Sequence, residues 1–103
     1  MMRGRRRRGR YGRRPLPVKI GHVSKITAFR PEPQENDTPI PLEHAELEVL
    51  RLLDLENLSQ EEAGERMGVS RGTIWRLQKR ARTKLTRALV EARRLVITGP
   101  DSV

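Results

Sequence analysis

The sequence predicts an all-α fold: a three-helix helix-turn-helix domain with a long third helix, behind a disordered basic arm and a proline-rich extended segment. Three observations predict it. Residues 59–80, SQEEAGERMGVSRGTIWRLQKR, place apolar and small side chains where two helices meet at a tight turn, and basic ones where the second helix faces outward. Leucines and valines recur at helical spacing through residues 42–55, and an apolar seam recurs again from Ile74 onward. Ahead of these lie eight arginines within residues 1–14 and six of the seven prolines within residues 15–41, a composition that supports no long helix.

Residues 1–14, MMRGRRRRGRYGRR, form the arm: closely spaced like charges and three glycines leave almost nothing to bury, so ordering entropy is not offset. Residues 15–41 form an extended linker. Within it Val18, Ile20, Val23, Ile26 and Phe29 are regularly apolar, which predicts that part of it lies across the helical core or forms a short strand. The run LVIT at residues 95–98 is the other strand-like segment, and pairing the two would tie both ends of the chain to the domain. The domain proper spans residues 42–98, with residues 99–103 as a tail.

The first helix takes Leu47, Leu50 and Leu53, flanked by Val49 and Leu52, as its inward stripe. Ser59 with Glu62 three residues on makes a capping box for the second helix, and Ser70 is a good N-cap for the third. Ala63, Met67, Val69, Ile74 and Leu77 supply the inward face of the pair; Gly64 permits close helix contact, and Gly68 takes the φ > 0 conformation of a sharp turn. The third helix meets no breaker before Gly99, and Ile74, Leu77, Ala81, Leu85, Ala88, Leu89 and Ala92 continue one seam toward Leu95. A helix of that extent is roughly 36 Å long, more than a trihelical domain covers. Folding back on the first helix or a homodimer contact through the third helix would cover the excess.

The formal charge of +9 is unevenly spread. Residues 43–65 carry one basic and eight acidic side chains, whereas residues 66–94 carry ten basic and one acidic, so the domain is electrically two-sided. A polyanion is drawn to the arm and the third helix and repelled by the first two. Glu43, Glu46 and Glu48 read as a solvated face near a helix N-terminus. With no cysteine, and with His22 and His44 isolated, neither a disulfide nor a metal or cofactor site is expected. No nucleophile with a base and no phosphate loop is visible, which argues against an enzyme. No apolar run reaches a membrane span and no secretory signal opens the chain, so a cytoplasmic, nucleoid-associated protein is expected.

In a helix-turn-helix the second helix of the pair enters the major groove. On that basis Arg71, Thr73, Trp75 and Arg76 are the candidate base-reading residues, with Trp75 alternatively a dimer or core contact. Ser70, Lys79, Arg80 and Lys84 are the candidate phosphate contacts, joined by Arg5, Arg6, Arg7 and Arg8 of the arm. The expected partner is double-stranded DNA. RNA or a ribosome engaged by the arginine arm, and RNA polymerase engaged by the helical domain, are the alternatives.

Residues 42–85, LEHAELEVLRLLDLENLSQEEAGERMGVSRGTIWRLQKRARTKL, resemble the promoter-reading C-terminal domain of bacterial sigma factors. The chain resembles more extensively a family of small prokaryotic proteins expected to bind DNA. There a basic N-terminus and a Phe-basic-Pro element, here Phe29, Arg30 and Pro31, precede a sigma-like domain. The most specific blocks are LRLLDLE at 50–56, QEEAGERMGVSR at 60–71, and Ala81 to Leu89 followed by LVITG. The resemblance implies a sigma-like DNA-binding fold. This chain departs from the family at Ile74, Trp75 and Gly99-Pro100, and it lacks the family's N-terminal cysteines.

Overall fold

The computed structural model of the protein describes residues 18–22 and 24–99. The arm at 1–14, with Arg5, Arg6, Arg7 and Arg8, lies outside them, as does the tail beyond Gly99. Chain order among the described residues is β1 (Ala28–Phe29), β2 (Ile40–Glu43), α1 (His44–Leu50) with a π-helical extension Arg51–Leu55, α2 (Gln60–Met67), α3 (Arg71–Glu91) and β3 (Leu95–Thr98).

The fold is therefore not all-α. β3 lies between the other two strands, pairing antiparallel with β1 (Phe29 opposite Leu95) and parallel with β2 (Ile40 opposite Leu95, Glu43 opposite Thr98). Parallel neighbours need a long crossover, and here the whole three-helix unit is that crossover. β2 alternates strictly, burying Ile40 and Leu42 and exposing Pro41 and Glu43. Two prolines hide that alternation in the sequence, and four residues are too few to show a period of two against a helical background. The expected pairing of LVIT with the linker is present in β1, and β2 adds a second partner that the sequence did not suggest.

Local signals place the helices. Ser59 Oγ accepts from the Glu62 amide at 3.0 Å while Glu62 Oε1 accepts from the Ser59 amide at 2.8 Å, closing the capping box that starts α2. Gly68 ends α2 in the left-handed region at φ 71°. The Ser70 hydroxyl then accepts from the Thr73 amide at 3.1 Å and starts α3. α3 stops at Glu91 rather than near Leu95, because Ala92 turns left-handed at φ 53° and the β-branched Val96, Ile97 and Thr98 enter the sheet.

Two apolar clusters result. Val49, Leu52, Ala63, Met67, Ile74 and Leu77 fill the space among the three helices, with Val18 packed against them. Ile40, Leu42, Ala81, Ala88 and Leu95 fill the space between α3 and the sheet, with Leu47 and Leu50 alongside. α1 is thus sandwiched: the most deeply buried apolar positions of α1 and its extension are Val49 and Leu52, and the expected stripe of Leu47, Leu50 and Leu53 borders them. The sheet, not a return along α1 alone, covers the C-terminal half of the α3 seam. Leu85 and Leu89 stay outside it, at 36% and 78% exposure.

The linker crosses the helices as anticipated. The Lys19 amide donates to the Met67 carbonyl at 3.0 Å, and the Glu35 amide donates to the Ala92 carbonyl at 3.1 Å, so the segment is pinned at both ends of the domain. No helix among the described residues is long and apolar enough to cross a membrane.

Gly64 is a close-contact point of the α2–α3 pair, since a Cβ there would lie 2.8 Å from the Val69 carbonyl oxygen. Gly64→Ala should therefore cost about 1 to 3 kcal/mol despite alanine's better helix propensity. Urea unfolding of the two proteins measures it, and equal midpoints would show that the turn yields.

Candidate nucleic-acid interface

α3 is amphipathic as far as Arg87. Ile74, Leu77, Ala81 and Ala88 are buried, and the opposite face carries Arg71, Trp75, Arg76, Lys79, Arg80, Thr83, Lys84 and Arg87. All but Lys84 of that face are exposed. The residues from Trp75 to Arg87 line one shallow groove along the helix. Thr83 and Arg87 were not singled out from the sequence, although each lies one helical turn beyond a named residue.

The first turns of α3 are internally ordered. Ser70 Oγ and Thr73 Oγ1 are 3.0 Å apart, and Arg76 Nη2 donates to Thr73 Oγ1 at 3.2 Å. Ser70 thus caps the helix and orients Thr73, which in turn positions the Arg76 guanidinium. Gly72 contributes by absence, since Arg76 Nη1 lies 3.7 Å from where its Cβ would stand. Trp75 is 51% exposed, so it is not a core contact, and Lys79 Nζ sits 5.6 Å from its ring centroid. Lys19 adds a cation beside the turn, its side chain running past Gly68.

Arg80 and Lys84 are arranged differently from the other cations. Lys84 Nζ meets Glu46 Oε1 at 2.8 Å, Arg80 Nε meets Glu46 Oε2 at 3.1 Å, and Arg80 Nη2 meets Glu43 Oε1 at 3.2 Å. Arg80 remains half exposed, whereas the Lys84 side chain is only 26% exposed. Lys84 therefore anchors α3 to α1, and Arg80 offers the remainder of its fork to solvent.

Glu46 and Glu48 are fully buried, not the solvated face their sequence suggests; only Glu43 is exposed. Burial pushes the Glu46 carboxyl up, but Lys84, the Glu43 amide and Arg80 together outweigh it and hold the group below its ordinary value. Glu48 behaves alike. Burial opposes its charge, and a two-pronged pair with Arg51, at 2.9 Å on each prong, and the Gly21 amide at 2.8 Å bring it below the ordinary range.

Among the described residues Arg71, Arg76 and Lys79 pair with no carboxylate, while Glu61, Glu62 and Glu65 are exposed on α2. Likewise, no group of three or more histidine and carboxylate side chains among the described residues is placed to hold a metal ion.

The whole chain, residues 1–103, matches the family described as Protein of unknown function DUF134. It is similar to a UPF0251 protein of Thermococcus kodakarensis, 48% identical over 80 residues that cover 78% of this chain and 66% of the relative. A UPF0251 protein of Pyrococcus furiosus is 59% identical over 59 residues, 57% of this chain and 55% of the relative. Another, from Archaeoglobus fulgidus, is 39% identical over 87 residues, 84% of this chain and 83% of the relative. The chain spans just under two thirds of the first of these relatives and about half of the second. No solved structure matches it. On the match over its full length, the chain belongs to the DUF134 family of small prokaryotic proteins.

Proposed function

We propose that the protein is a sequence-specific duplex-DNA-binding regulator of transcription in which α2, the Gly68 turn and α3 act as a sigma-like helix-turn-helix. The N-terminal half of α3 enters the major groove. Arg71, Thr73, Trp75 and Arg76 meet base edges, Lys79 and the free prong of Arg80 meet phosphates, and Arg5, Arg6, Arg7 and Arg8 of the arm hold the backbone. One observation carries this reading: among the described residues Arg71, Arg76 and Lys79, three exposed cations that no carboxylate neutralises, stand together on the first three turns of a single helix. The Ser70–Thr73–Arg76 chain supports it further, because a base-reading arginine gains from being held in place before contact. The acidic α2 surface turns any polyanion toward α3.

Selection of bound duplexes from a random pool tests the reading, with a preference of about 10³-fold or more over random duplex expected. Arg76→Ala should then cost about 1 to 3 kcal/mol at one base position and relax the preference there. If the pool yields no preferred duplex while RNA competes equally, the arginine arm acts on RNA and the major-groove reading fails.

A further inference from the structure

Four large apolar side chains crowd one end of the molecule: Phe29, Leu85, Leu89 and Val90, at 67%, 36%, 78% and 77% exposure. They border a groove between the C-terminal half of α3 and the segment from Arg30 to Glu35. Scattered exposed apolar residues need no explanation, but a contiguous patch on so small a chain marks a contact surface.

The charges around the groove indicate what fills it. Glu32 and Glu35 stand on the rim where α3 ends, held there by the Glu35 to Ala92 hydrogen bond. Arg82 stands at the other end, one turn before Leu85, 55% exposed and using one prong on Asp54. Arg30 and Arg93 line the same end, Arg93 tied to Glu91 at 2.8 Å, so among the described residues Glu32 and Glu35 there exceed one unpaired cation. With the free prong of Arg82 at the other end and apolar side chains between, an antiparallel copy of the surface complements it. A two-fold axis midway between Leu85 and Leu89 sets Leu85 against the partner's Leu89, and brings Arg82 toward the partner's Glu32 and Glu35.

The lengths agree with this arrangement. Trp75 lies twelve residues before that axis, which is about 18 Å at 1.5 Å per residue, so the two reading centres stand up to about 36 Å apart. Successive major grooves on one face of B-DNA recur at about 34 to 36 Å. We propose that the protein is a homodimer joined antiparallel through the Leu85–Leu89 end of α3, and that its DNA target is an inverted repeat with half-sites about one helical turn apart. The interface stands on the patch and its charges alone, whereas the target geometry rests on the major-groove reading of α3.

Sedimentation equilibrium of the full chain should give twice its 11.9 kDa mass, and Leu89→Glu should give the monomer with an unchanged circular dichroism spectrum. Since the chain has no cysteine, a mixture of Leu85→Cys and Leu89→Cys proteins should form an oxidised heterodimer, and Glu61→Cys on α2 should not cross-link. On selected DNA, inserting five base pairs between half-sites should lower wild-type affinity at least about tenfold and leave Leu89→Glu unaffected. A wild-type monomer both free and on DNA, or a dimer that neither Leu89→Glu nor the cross-link detects, overturns the proposal. A dimer that Leu89→Glu dissociates but that prefers no duplex keeps the interface and removes the DNA reading.

Discussion

Glu46→Gln should lower the stability of the protein by about 3 kcal/mol and at the same time strengthen its binding to random duplex DNA. Removing one partner of a buried ion pair costs about 3 to 5 kcal/mol, and the lower end applies because Arg80 and Lys84 can turn partly to water. The binding effect has the opposite sign. With Glu46 neutral, Lys84 is released to reach a phosphate, and each added phosphate contact steepens the dependence of log affinity on log salt by about 0.9. Adding Lys84→Met to Glu46→Gln should recover part of the stability and abolish the gain in slope. Full additivity of the two substitutions would mean that the 2.8 Å pair contributes nothing.

The same pair sets an acid limb. The folded Glu46 carboxyl lies below its unfolded value, so its contribution is fully present above the ordinary carboxylate range and is lost as pH falls through the folded value. Glu48 adds a limb of the same sign. Unfolding midpoints of wild type should fall on acidification below about pH 4.3, and Glu46→Gln should flatten that fall.

What the sequence disclosed was local. The capping box at Ser59, the cap at Ser70, the left-handed Gly68 and the tight contact at Gly64 are decided within a few residues, and each stands where its neighbours in the chain place it. The sheet was legible only in part: LVIT reads as a strand with a partner in the linker, but β2 and β3 become neighbours only through the helices between them and β2 is too short to show its period. The buried carboxylates were not recognised for a related reason. Glu46 meets cations 34 and 38 residues away, and Glu48 meets an amide 27 residues away. One signal was present: Glu46 stands three and four residues before Val49 and Leu50, on the inward stripe of α1, where a charge requires a partner. The outward face of α3 was readable because a helix sets side-chain direction by spacing alone. Which of its cations are neutralised was not, because the carboxylates come from elsewhere in the chain.

Deleting residues 1–14 should weaken binding to every duplex alike and leave the preferred sequence unchanged. The deleted stretch holds eight of the chain's 22 basic residues and no acidic one, so it contributes attraction to phosphate without a fixed view of base edges. The Lys19 amide is bonded to the Met67 carbonyl beside the turn that starts α3, which puts the first described residues of the linker next to the proposed reading helix. If three or four of the arginines meet phosphates, their loss flattens the salt slope by about 3, which makes affinity roughly 60-fold less sensitive to a change from 50 to 200 mM salt. Binding of intact and shortened protein to a selected and a random duplex, each over a salt series, separates the two roles. Parallel lines for the two proteins would remove the arm from DNA binding, and a lost preference on deletion would make the arm, rather than Arg76 and its neighbours, the reader of sequence.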